Sequence, residues 1–174
     1  MTTPERVGNE ARPQLWVIDS SSLMLVREKY GAANENKVFE LLGAYALRGK
    51  ILFPPEVCDE LERGAASQTD ADVRWVRKHR ERCERVATPE NVRRVLAKVP
   101  ELLDVNNPNE QADPYVLAVA LDLQIGGFHV CIITDDRRDR GKKLSLATAS
   151  GIFMIANVPF LGFMRGEGLL EPSF

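Results

Sequence analysis

Two short apolar runs lie more than a hundred residues apart in this chain, and each stops abruptly in acidic residues. Residues 15–18 run into Asp19, Ser20, Ser21 and Ser22, and residues 130–133 run into Thr134, Asp135 and Asp136. A short apolar run bounded by polar residues reads as a buried strand. Between the runs, apolar positions recur at helical spacing. Val38, Leu41, Leu42, Tyr45 and Ala46 fall at i, i+3, i+4, i+7 and i+8, with Gly49 placed to end the helix. Strands alternating with helices predict a parallel sheet joined by right-handed crossovers. Ligands of such sheets sit beyond the carboxyl ends of the strands, so the two acidic clusters should project from one edge.

The remaining elements follow the same rules. Residues 51–53 predict a strand, and Pro54 and Pro55 open a helix on which Val57 and Leu61 face the core beside a stripe of Glu56 and Glu60. Gly64 should end that helix. Residues 70–99 read as two helical pieces divided by Thr88 and Pro89, an N-cap followed by a first-turn proline. Asp113 and Pro114 start an apolar helix over 115–123, closed by Gly126 and Gly127. A last strand is expected over 152–155, then a short helix from Pro159. The fold class is therefore α/β, a single domain with a parallel sheet of about four to five strands flanked by helices.

With 174 residues, two full domains would leave each half near the lower limit for an independent core. A polar tail over 1–14 precedes one domain over 15–174; it has no apolar signal-peptide core, and no export signal is expected. No stretch supplies the roughly 20 apolar residues of a membrane span, so no membrane association is expected. The three cysteines, Cys58, Cys83 and Cys131, are scattered and odd in number, which favours neither disulfides nor a zinc knuckle and fits a reducing cytoplasm. A net charge of −2 gives no global field to attract nucleic acid. Any polyanion must be held by a local patch or a metal.

Each acid has a structural explanation when taken alone. Asp19 could cap the helix that follows it, Asp113 could cap the helix opened by Pro114, Glu60 could be a solvated helical residue, and Asp135 and Asp136 could belong to a turn. The ordered set, however, resembles the PIN-domain ribonucleases, toxin nucleases among them. The matching pieces are Val17-Ile18-Asp19-Ser20-Ser21, Cys58-Asp59-Glu60-Leu61, Asp113-Pro114-Tyr115-Val116-Leu117-Ala118, and Ile132-Ile133-Thr134-Asp135-Asp136. The helical insertion over 70–99 and the Gly151-Ile152-Phe153-Met154-Ile155 ending resemble a less-studied branch, and the family's aromatic residue shortly after Asp136 is replaced by Arg137, Arg138, Asp139 and Arg140.

The resemblance implies a PIN-like fold and a metal-dependent endoribonuclease that hydrolyses RNA to 5′-phosphate products. It implies Asp19, Glu60, Asp113 and Asp136 as the catalytic, metal-holding acids, with Asp135 as the alternative to Asp136. Ser21 and Thr134 are implied as supporting polar groups. It also implies the toxin role of a toxin–antitoxin pair, with an antitoxin protein covering the cleft, and a homodimer. Chemistry accounts for the acids: two unit charges about 4 Å apart repel by about 1 kcal/mol in water and by several times more when partly buried. A divalent cation relieves that repulsion, and all-oxygen ligands suit Mg²⁺ or Mn²⁺.

Two basic stretches could meet RNA or simply be solvated. One is Arg74, Arg77, Lys78, Arg80, Arg82 and Arg85; the other is Arg137, Arg138, Arg140, Lys142 and Lys143, which rims the expected site. His79 and His129 read as surface or structural residues, and Trp16 and Trp75 as packing residues. The alternatives to a nuclease are a non-catalytic PIN-like module that binds RNA or protein, and a receiver-type phosphate-binding domain. The latter lacks a lysine on a late strand.

Overall fold

Alternating strands and helices wind into a parallel four-stranded sheet in the order β2-β1-β3-β4. The computed structural model describes residues 14–67 and 69–169. Its strands are β1 (Gln14–Ile18), β2 (Ile51–Leu52), β3 (His129–Ile133) and β4 (Ala156–Val158). Trp16 pairs with Ile51 on one side and Cys131 on the other, while Ile133 pairs with both Ile18 and Val158. That register aligns the ends of β1 and β3, which carries Asp19 and Thr134 to the same edge.

Helices α1 (Ser20–Met24), α2 (Val26–Tyr30) and α3 (Glu35–Leu47) connect β1 to β2. Helices α4 (Pro55–Gly64), α5 (Ala71–Cys83), α6 (Pro89–Lys98) and α7 (Asp113–Ile125) carry the chain on to β3. Helix α8 (Leu146–Ile152) joins β3 to β4, and α9 (Phe160–Gly166) follows. The α7 helix buries all of Val116 to Leu121 and packs against β1 and β3, as its nearly continuous apolar sequence requires. Trp16 of β1 meets Phe163 of α9 edge to face at 4.8 Å, and Tyr45 of α3 meets the same ring at 5.6 Å. Trp75 is buried among Phe39, Phe53 and His79, so both tryptophans pack and His79 is structural. All three cysteines are free and buried.

Four sequence expectations change. Residues 152–155 are no strand: Leu146, Ala149, Ser150 and Phe153 are buried at i, i+3, i+4 and i+7, and the apolar run straddles the end of α8. Met154 there takes a left-handed φ of 56°, and the Ile155 amide returns to the Ser150 carbonyl at 3.0 Å, closing the helix. The final strand begins only at Ala156. Gln14, assigned to the tail, opens β1; the rest of the 1–14 tail lies outside the described residues. Phe53 falls just past β2 and bridges to Glu84. Asp113 is the first residue of α7 rather than its cap, Ala112 standing at the cap position. Among the described residues, no helix is long and apolar enough to cross a membrane.

Candidate active site

Asp19 leaves β1 in an extended conformation (φ −93°, ψ 153°), which turns its side chain into the sheet edge and makes no cap bond to α1. It is 1% exposed. Its Oδ2 accepts hydrogen bonds from Ser21 Oγ at 2.6 Å and from Thr134 Oγ1 at 3.0 Å. Thr134 Oγ1 in turn accepts from the Asp136 amide at 3.1 Å, and Ser21 Oγ accepts from the Asp135 amide at 3.1 Å. The ends of β1 and β3 are thereby laced together around one buried carboxylate.

Glu60 comes from α4. Ser20 Oγ lies 3.0 Å from Glu60 Oε2 and 3.4 Å from Asp19 Oδ1, and its single proton can serve one of them at a time. Asp113, on the first turn of α7, receives the Lys143 ammonium at 2.8 Å. Lys143 also reaches Asp136 Oδ2 at 3.6 Å, and that oxygen accepts from the Leu146 amide at 2.9 Å. Asp19, Glu60, Asp113 and Asp136 line one cavity of about 350 Å³ together with Asp135 and Lys143. Four separate stretches of chain thus converge.

Burial raises the Asp19 carboxyl most, the nearby Glu60 charge adds to it, and the Ser21 and Thr134 hydroxyls oppose it. Burial likewise raises Asp113, reinforced by Asp19 and opposed by Lys143. Glu60 is raised by burial first and by Asp113 after the Ser20 bond is counted against it. These carboxylates are held where ionisation is costly unless a cation joins them.

Asp136, the expected fourth acid, and Asp135, its alternative, have different partners. Asp135 Oδ1 is paired with Lys29 at 2.6 Å, while its Oδ2 accepts from Ser22 Oγ at 2.7 Å and the Phe160 amide at 3.2 Å. Its acceptors are committed to holding α1, α2 and α9 to the sheet edge. Asp136 is the acid whose charge bears on Asp19 and Asp113.

Residues 16–169 match a family model described as a domain of unknown function, DUF4411. The chain belongs to this family. Comparison with the curated proteins gives no match. The DUF4411 match takes in every residue of the acidic cavity.

Among the described residues of this DUF4411 domain, no three acidic, histidine or cysteine groups already enclose an ion position. Lys143 stands between Asp113 and Asp136 instead. The donor set nevertheless fits a hard divalent ion, because the cavity offers carboxylate and hydroxyl oxygens with no histidine or cysteine, and two of the carboxyls are strongly desolvated.

Of the basic residues, Arg140 and Lys143 line the acidic cavity. Lys142 lines the neighbouring cavity. Arg137 donates to Asn157 Oδ1 at 2.8 Å, and neither it nor Arg138 is in the lining of these two cavities. The basic α5 helix is largely engaged within the fold: Arg77 pairs with Glu62, Arg80 with Glu84, and Arg82 donates to the Leu47 carbonyl. Sequence reasoning missed Lys29 and the pairing of Lys143 with Asp113. A lone lysine on a helix carries no local signal, and the Lys143 contact spans 30 residues.

Proposed function

We propose that this domain is a metal-dependent endoribonuclease of PIN type, which hydrolyses RNA phosphodiester bonds. The observation that carries the reading is the convergence of Asp19, Glu60, Asp113 and Asp136 on one cavity at the carboxyl edge of a parallel sheet. The four-stranded α/β architecture is consistent with a PIN-like fold.

These four acids would hold Mg²⁺ or Mn²⁺, which when bound supplies charge neutralisation at the phosphate and acidifies water. The chain's own groups do the rest. Ser21 and Thr134 fix Asp19 through Oδ2 in one orientation, so that Oδ1 can orient the attacking water while Ser20 donates to Glu60. Asp113, deprotonated once a cation offsets the cluster, is the acceptor for that water's proton. Lys143, already in the cavity, offers an ammonium to a non-bridging phosphate oxygen. Attack at phosphorus breaks the bond to the 3′-oxygen, which takes a proton from solvent water to leave as a 3′-hydroxyl and gives a 5′-phosphate product, and Asp113 returns its proton to solvent.

The decisive experiment is Mn²⁺-dependent cleavage of total RNA by wild type against Asp19→Asn, with melting curves recorded with and without metal. Cleavage and metal-induced stabilisation in wild type alone support the reading. Equal metal response in both proteins refutes the site. A second reading, a non-catalytic module that binds RNA or protein, draws support from Lys143 standing between two of the acids. Metal binding without cleavage of any RNA tested would favour it. The toxin role, an antitoxin partner and a homodimer follow from the resemblance; co-purification with an adjacent gene product and sedimentation test them. A cytoplasmic location is supported by three buried, free thiols.

A further inference from the structure

The acidic cavity does not end at Lys143. A second cavity of about 580 Å³ opens on the far side of the same residue, between residues 100–106 and the turn 140–143. Arg140 and Lys143 line both cavities, so the two share a wall of positive charge. That wall is a rigid device. The Arg140 and Lys143 backbones exchange two hydrogen bonds of 2.9 Å around Gly141, whose φ of +58° permits the tight reversal. The Leu144 amide then anchors the turn to the Glu101 carbonyl at 2.8 Å.

Unlike Arg77, Arg80 and Arg82 of α5, the exposed side chains of Arg140 and Lys142 have no hydrogen-bond or ion-pair partner among the described residues. The opposite wall is apolar in part: Leu103 is half-buried, and Val105 is 91% exposed with its side chain to solvent. Two acids also line this cavity. Asp104 is occupied in a local turn, accepting from the Asn106 amide at 2.9 Å, and Glu101 faces solvent. The loop is braced by Gln111, which accepts from the Asp104 amide and donates to its carbonyl.

Cations on one side, an apolar face on the other and a volume within the range of small-ligand pockets are what one unpaired nucleotide needs. We infer that this second cavity is a nucleotide subsite for single-stranded RNA, Arg140 and Lys142 taking phosphates of the strand that crosses Lys143, and Leu103 and Val105 taking a base. The inference rests on the nuclease reading and names its substrate form. Asp19 lies at the floor of its cavity, 1% exposed, and a flexible strand can lower a phosphate toward it while a stiff duplex cannot. The shared wall also demands a ligand extended enough to occupy both cavities.

The test measures binding without cleavage, by fluorescence anisotropy of a short labelled single-stranded RNA in EDTA. Arg140→Ala combined with Lys142→Ala should weaken binding on the order of tenfold. The slope of log affinity against log salt should become shallower by about 1.4. Arg93→Ala with Arg94→Ala removes the same charge from an exposed face of α6 and should cost under about twofold. Val105→Ser should weaken RNA several-fold through lost apolar contact with the base, on a side chain too exposed for the fold to depend on it. Equal losses in the two double variants, no RNA binding by wild type, or competition by poly-glutamate as effective as by RNA would each overturn the subsite. Cleavage by a wild type whose 140/142 variant binds normally sinks the subsite alone; subsite binding without cleavage in any metal sinks the nuclease alone.

Discussion

The Lys143 ammonium lies 2.8 Å from the Asp113 carboxylate, joining the turn after β3 to the first turn of α7. One cation thereby offsets part of the charge of four convergent acids. Removing it should be felt as unpaired buried charge, although Lys143 keeps a quarter of its side chain exposed. Lys143→Met is expected to lose about 1–2 kcal/mol in EDTA at neutral pH, a figure reduced from that of a fully buried pair for solvent screening. Mn²⁺ should raise the melting temperature of this variant more than that of wild type, because metal and ammonium compete for the same carboxylates. A smaller Mn²⁺ shift in the variant would contradict that competition.

Acidity should act on the metal-free protein in a direction opposite to ordinary acid denaturation. Burial pushes Asp19 up to about 6 and Asp113 up to about 7, from an ordinary 3.8. The folded state therefore binds more protons than the unfolded chain between these values, and the stability these groups contribute falls as pH rises through that window. In EDTA, the melting temperature should decline from about pH 5 to about pH 7.5, and Asp19→Asn should flatten the decline. Saturating Mg²⁺ should reverse the trend, since the ion takes only ionised ligands. An unchanged pH profile in Asp19→Asn would remove Asp19 as its source.

Asp135 and Asp136 should fail differently when neutralised. Asp135→Asn weakens the Lys29 pair and the bonds that hold α1 and α9, and should cost about 1–3 kcal/mol of stability while leaving the metal-induced shift in place. In Asp136→Asn the amide oxygen can still accept from Leu146, so the fold should survive while the metal shift shrinks. Paired melting curves with and without Mn²⁺ decide it; the reverse pattern would exchange the two roles.

Thr134 should act through Asp19. Thr134→Val keeps the shape of a fully buried side chain but deletes the donor to Asp19 Oδ2 and the acceptor for the Asp136 amide. The expected loss is about 1–3 kcal/mol at pH above the Asp19 range, and Mn²⁺ affinity should fall with it. Thr134→Ser, which retains the hydroxyl, should restore most of the affinity. Calorimetric titration with Mn²⁺ separates this positioning role from a packing loss, which Ser would not rescue.

The sequence by itself determined that residues 15–18 and 130–133 are buried, because both are short continuous apolar runs, and each acidic cluster is tied to its run by the peptide chain. It also determined that Glu60 and Asp113 sit on helices, through the prolines that open them. It misplaced the last strand, since residues 152–155 read as a strand when the helical spacing of Leu146, Ala149, Ser150 and Phe153 is overlooked. Only the tertiary structure decided which of two adjacent aspartates meets Lys143 and which braces three helices. Only it paired Lys143 with Asp113 and set a second cavity beside the first. The physical reason is that electrostatic and hydrogen-bond partners are chosen by distance in space, and a sequence separation of 113 between Ser22 and Asp135 carries no local trace of a 2.7 Å contact.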